Sequence, residues 1–143
     1  MRITVLIVVC LFSQQALACS CVKMNLQEYA TNADMIFIGR LVKAELVNID
    51  KTKVAEVHYE VVENFKGKSS KAYKLRTPWL EGTCGIGTDI GHFYRIFYKK
   101  NKNRFVGLCG GSNQIWIHDI EKTSKKIKAA LKTAHNKQSQ PTQ

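Results

Sequence analysis

No uninterrupted apolar run in these 143 residues is long enough to cross a bilayer. The longest, residues 5–12, falls far short of the ~20 that a helical span needs, so no membrane span is expected. Internal repeats are missing, and so is any linker long enough to divide the chain, which points to one domain with a modest core. Acidic residues are scarce, 11 against 22 Lys and Arg, and none follows Glu121. The four histidines, His58, His92, His118 and His135, show no metal-ligand spacing, and there is neither a nucleophile elbow nor a phosphate loop. With no acid, base or nucleophile constellation, neither an enzyme nor a cofactor is expected.

What the N-terminus does contain is a secretory signal. Arg2 is followed by the apolar run, then by Gln14, Gln15 and Ala16-Leu17-Ala18. The last three put small residues at the two positions a signal peptidase reads, so residues 1–18 read as a signal cleaved before Cys19. The product is expected to be secreted, extracellular or, in a bacterium, periplasmic. A nucleic-acid partner is not expected for an exported protein, whatever its charge. A lipid-acceptor cysteine is the competing reading of Cys19, but Ala16 replaces the larger aliphatic residue usual three positions before one.

Cleavage removes Cys10 and leaves Cys19, Cys21, Cys84 and Cys109, an even number in an oxidising compartment. Disulfides follow. A Cys19–Cys21 bond would close a strained little ring, so both cysteines are expected to reach distant segments, each long loop contributing on the order of 4 kcal/mol. A four-thiolate zinc site fits less well, because Cys84 and Cys109 are far apart in sequence where zinc sites carry two closely spaced pairs.

The mature pattern is mostly β. A short helix is expected over 25–32, with Asn25 as cap and Glu28 three residues on. Strands are expected over 34–46, with Gly39 as a bulge or bend, then over 54–65, 72–77, 93–98 and 105–108. In 54–65, Val57, Tyr59 and Val61 alternate with Glu56, His58 and Glu60, as in a half-buried strand. A helix over 115–134 carries Ile120, Ile127, Leu131 and Ala134 on one face. These elements fit an all-β, five-stranded closed barrel of the OB type with two flanking helices, occupying 19–135, and a disordered polar tail over 136–143. Trp79, Trp116, Phe93 and Tyr94 read as core or rim aromatics rather than a ligand platform.

Cys19-Ser20-Cys21-Val22, followed by a short helix, Asn32-Ala33-Asp34 and an apolar strand, resembles the start of the netrin-like N-terminal domain of the tissue inhibitors of metalloproteinases. Glu81-Gly82-Thr83-Cys84-Gly85 resembles that family's connector cysteine between its third and fourth strands. Leu108-Cys109 followed by Trp116 resembles its later cysteine and tryptophan-containing turn. The resemblance spans about 19–120 and implies the pairs Cys19–Cys84 and Cys21–Cys109. It further implies a monomeric, secreted inhibitor of zinc metalloproteases. Two departures stand out: Thr31 occupies the place of a third cysteine, so one disulfide is missing, and the sequence stops before the family's C-terminal domain.

The chemistry of such inhibition needs no side chain. A free Cys19 offers its α-amino nitrogen and its own carbonyl oxygen, which together close a five-membered chelate on a metal. A protease zinc with three protein ligands and a bound water would lose that water, and with it the nucleophile. The amine's reference pKa of about 7.7–8.0 allows this near neutral pH. By the resemblance, Ser20 enters the enzyme's primary specificity pocket, and its small size implies a broad inhibitor. Cys21, Val22, Glu81, Gly82, Thr83 and Cys84 form the rest of the contact ridge.

A second class of function rests on charge. Removing residues 1–18 takes away Arg2 alone among charged residues and leaves a net charge of +10. Lys122, Lys125, Lys126, Lys128, Lys132 and Lys137 follow Glu121, and such a helix face suits an anionic polysaccharide or an acidic surface. The alternative to inhibition is therefore a netrin-like binding module that recognises anionic polysaccharide or an extracellular protein.

Overall fold

A computed structural model describes residues 20–22, 24–79, 84–101 and 104–138. Its elements run α1 (Leu26–Asn32), β1 (Met35–Ile49), β2 (Thr52–Lys66), β3 (Ala72–Pro78), β4 (Phe93–Tyr98), β5 (Asn113–Ile115) and α2 (Ile120–Gln138). Short 3-10 turns lie at Leu108–Gly110 and Ile117–Asp119. The strands form one antiparallel sheet in the order β3-β2-β1-β4-β5.

β1 is central because it is apolar on both faces. Ile36 and Ile38 point toward the helices, where they pack with Ala30, Ala33, Phe97, Ile127 and Ala130. Phe37 and Leu41 face the other way, into a cluster with Val57, Tyr59, Tyr94 and Ile96. A strand covered on both sides reads as a continuous apolar run rather than an alternating one, as Met35-Ile36-Phe37-Ile38 does. Gly39 sits where the pairing with β2 shifts register between Ile38 and Gly39. A Cβ there would lie 2.9 Å from Phe37 Cε2 and 3.0 Å from the Glu60 carbonyl oxygen, so the close approach requires glycine.

The two long strands form a hairpin that continues to Ile49 and Thr52, beyond the expected ends at 46 and 54. Its turn residues Asp50 and Lys51 both have positive φ, 47° and 67°, which suits a two-residue hairpin turn but carries no glycine to announce it. The helix α1 starts with the expected capping box: Glu28 N donates to Asn25 Oδ1 and Asn25 N to Glu28 Oε2, each at 2.9 Å. At its other end, Lys66 Nζ donates to the carbonyls of Ala30 (2.9 Å) and Thr31 (3.2 Å), so β2 supplies the cap.

Two expectations are corrected. The fifth strand is Asn113–Ile115, not 105–108: Arg104 turns with φ 57° and Leu108–Gly110 turn in a 3-10 helix, so the extended stretch between them is too short for more than an isolated bridge at Phe105. Residues 115 and 116 are not helical, because Ile115 pairs with Phe93 on β4 and Trp116 is extended; Ile117–Asp119 form a 3-10 turn, and α2 starts at Ile120 and runs to Gln138, past the expected end of the domain at 135. The expected β-rich fold is present as a five-stranded antiparallel sheet with two helices, and among the described residues that sheet is open. Among the described residues the β3 edge makes one parallel bridge, where Arg76 N donates to Arg104 O (3.0 Å) and Val106 N to Arg76 O (2.8 Å). No helix among the described residues is long and apolar enough to cross a membrane.

Gly39→Ala is expected to lower stability by roughly 1–3 kcal/mol, the cost of overpacking a tight interior. Denaturant melts of the two proteins check this, and an unchanged midpoint would show that β1 can bend away without glycine.

Candidate functional site

The N-terminal cysteine segment is held against the far end of the domain. Cys21 and Cys109 form a disulfide across 88 residues of sequence, with Cα atoms 5.1 Å apart. Cys84 is disulfide-bonded as well, and the sulfur atoms of Cys21, Cys84 and Cys109 all lie within 4.8 Å of one another. Since these sulfurs are bonded in disulfides, their closeness does not make a thiolate metal site. The backbone tightens the junction: Leu108 N donates to Cys84 O at 2.9 Å, and a Cβ on Gly107 would come within 2.6 Å of that oxygen. Beside the disulfides lies a largely apolar cleft of about 480 Å³, walled by Met24, Tyr29, Phe97, Phe105 and Val106.

Around this anchor the chain is exposed. Ser20 lies in solvent, Cys21 is half-buried, and Val22 is 81% exposed. The structure therefore brings Cys21, Cys84 and Cys109 together and leaves Ser20 and Val22 projecting. Cys19, its pairing with Cys84, and the connector residues Glu81, Gly82 and Thr83 lie outside the described residues, as do the signal over 1–18 and the tail beyond Gln138.

The lysines of α2 separate into two groups. Lys122, Lys125 and Lys126 line a shallow cleft of about 390 Å³ with His118 and Glu121. Lys128 instead turns to the sheet, pairing with Glu63 at 2.6 Å and lying 5.9 Å above the Phe65 ring, so it fastens α2 to β2. Burial pushes the Glu63 carboxyl upward, but hydrogen bonds from Lys128 and Ser124 and the Lys128 charge outweigh this and leave it below its ordinary 4.5. Lys132 is exposed on the same helix. Of the aromatics, Tyr94 is fully buried, whereas Trp79 and Trp116 are 46% and 62% exposed. Trp116 lies parallel to the His118 ring at 6.5 Å and edge-on to His92 at the same distance, an arrangement with no signature in the sequence.

A further polar cluster occupies one face of β1, β2 and β3. Ligand atoms of Glu45, Glu56 and His58 lie within 4.8 Å of one another, a spacing that suits a metal ion. The cluster is already filled with cations, however. Glu56, though alternation placed it on a solvent face, is buried beneath Lys74 (2.6 Å) and Arg76 (3.5 Å), while Lys43 takes Glu45 at 2.9 Å. The hydrogen bond from Lys74 does most to hold the Glu56 carboxyl below 4.5, against the opposing effect of burial. It is an ion network that ties three strands together.

No known family model matches the sequence, and no curated protein matches it either.

Replacing Cys21 and Cys109 together by Ser is expected to cost roughly 4–5 kcal/mol by the chain-entropy relation for a loop of this size. Chemical denaturation reads it, and a loss under about 1 kcal/mol would mean that the sheet alone fixes this end. Glu56→Gln should cost about 1.5–3 kcal/mol at neutral pH, the worth of hydrogen bonds to charged groups. Because the folded carboxyl is depressed, its contribution is complete above pH 4.5 and disappears as pH falls through the lowered folded value. The variant should therefore show a flatter stability profile below pH 4.5 than the parent, and parallel profiles would remove Glu56 from the account of acid sensitivity.

Proposed function

We propose that the mature protein begins at Cys19 and inhibits zinc metalloproteases by chelating the catalytic zinc through the free amine and carbonyl of that residue. The observation that supports this best is the Cys21–Cys109 disulfide with Ser20 and Val22 exposed on either side of it. A segment tied down at one residue and projecting at its neighbours loses little freedom when a partner takes it up, which lowers the ordering cost of binding. Ser20 fills the enzyme's specificity pocket, and Val22 with Glu81, Gly82, Thr83 and Cys84 extends the ridge. In this reading the protein is secreted, acts as a monomer and catalyses nothing itself. Its sheet is the wall of an OB-like, netrin-like barrel, a reading supported by the parallel bridge between Arg76 and Phe105, which joins the β3 edge to the segment after β4.

The amine is the testable element. Adding one Ala before Cys19 replaces it with a peptide nitrogen, a poor ligand, while leaving fold and disulfides in place. Affinity is expected to fall by at least about a thousandfold, equivalent to some 4 kcal/mol, with the melting temperature unchanged. Ser20→Gly removes only the pocket contact and should lose much less. Inhibition constants for the three forms against a panel of zinc metalloproteases decide the matter: equal potency of native and extended protein excludes chelation, and inactivity of all three excludes inhibition of that panel.

A further inference from the structure

We propose that the start of α2 and the turn before it form a binding site for a sulfated polysaccharide, with Trp116 as the sugar platform and the Lys122–Lys126 cleft as the sulfate site. This rests on different residues from the inhibitory reading and stands whether or not that reading holds. Two separate observations meet at His118. The first is the exposed aromatic shelf: Trp116 is 62% exposed, its neighbour Ile117 68%, and the His118 ring lies parallel to the indole at an interplanar angle of 7°. An exposed indole at the rim of a charged cleft offers a flat apolar face to a partner. The second is the cleft itself, lined by His118, Glu121, Lys122, Lys125 and Lys126.

Charge decides the sign of the ligand. Glu121 pairs with Lys125 at 2.7 Å, and Asp119 lies 3.6 Å from His118 Nε2. No carboxylate among the described residues pairs with Lys122 or Lys126. Three lysines against one glutamate leave the cleft with two uncompensated positive charges. Exposed ammonium groups are strongly hydrated point charges with rotatable donors, suited to repeated sulfate groups along a flexible chain rather than to one planar carboxylate. The platform adds what charge alone does not. The axial C–H edge of a sugar ring is apolar and weakly positive, and it complements the negative face of an indole. A chain seated on Trp116 would therefore carry its sulfates across the adjoining lysines.

The helix can accept such a ligand without disturbing its own docking. Ile127, Ala130 and the Lys128–Glu63 pair hold α2 to the sheet, whereas Lys122 and Lys126 make no contact of that kind among the described residues.

The test is titration of the full secreted chain with a size-defined heparin oligosaccharide across a salt series. Lys122→Gln/Lys126→Gln should weaken binding at least about tenfold and reduce the salt slope by about two, since two cations stop displacing counterions. Trp116→Ala should weaken it several-fold with the slope unchanged. Glu121→Gln should strengthen it, a change that damage to the fold cannot imitate. Lys132→Gln, on the same helix away from the cleft, should have little effect. If Lys132→Gln costs as much as either cleft lysine alone, or if polyglutamate binds as tightly as the oligosaccharide, attraction is diffuse and the site does not exist. If Trp116→Ala leaves affinity unchanged, the sugar platform is wrong.

Discussion

Everything in this fold hangs on one strand being covered from both sides. β1 pairs with β2 from Ile36 to Ile49 and with β4 over its first six residues, and it sends Ile36 and Ile38 to the helices and Phe37 and Leu41 to the opposite cluster. Removing apolar surface from both faces at once gives the largest return per residue ordered, since burial stabilises by about 25 cal/mol per Å². The consequence is directional. β4, fixed against β1, positions β5 and the turn after it, and Phe97 N and O are bound by the buried Ser112 hydroxyl at 2.8 and 3.1 Å. That clamp sets the course of the chain from Cys109 to Trp116, so both candidate surfaces take their places from the β1–β4 ladder.

Charge serves two purposes in this molecule, and burial separates them. Where cations sit over half-covered strands they neutralise carboxylates: Lys74 and Arg76 over Glu56, Lys128 over Glu63. A carboxylate with so little water around it would otherwise be expensive. Where the surface is open, Lys122 and Lys126 are left to solvent, and their field is available to a partner. A count of lysines along α2 cannot tell these apart, because Lys126 and Lys128 are two residues apart in sequence yet a helix turns them to different surroundings.

Periodicity made the local elements legible and left their partners hidden. The β1 run, the Asn25–Glu28 capping box and the Ile127 stripe of α2 each declare themselves within a few residues, because each depends on spacing alone. The assignments that failed depend on contacts between distant segments. Ile115 looks like a helix start until Phe93 is beside it, and Glu56 looks solvated until β3 brings Lys74 and Arg76 over it. The 50–51 turn was hidden for another reason, since Asp50 and Lys51 take positive φ without the glycine that usually marks it. For the candidate site, the Cys-x-Cys spacing told where to look. The resemblance supplied the pairing, and nothing in the sequence showed that Trp116 stands beside His118 and His92 in solvent.

The two proposed binding surfaces would be held on this small domain by different forces. The N-terminal segment depends on a covalent anchor, Cys21–Cys109, because a short projecting segment has too little apolar surface to fix itself. The α2 cleft needs no such anchor, since its lysines ride on a helix held elsewhere by Ile127, Ala130 and Lys128. Reduction would therefore release the first surface and leave the second in place, whereas salt would screen the second and scarcely touch the first. Two surfaces held by different forces can be altered one at a time, which is the physical condition for a single small domain to carry both.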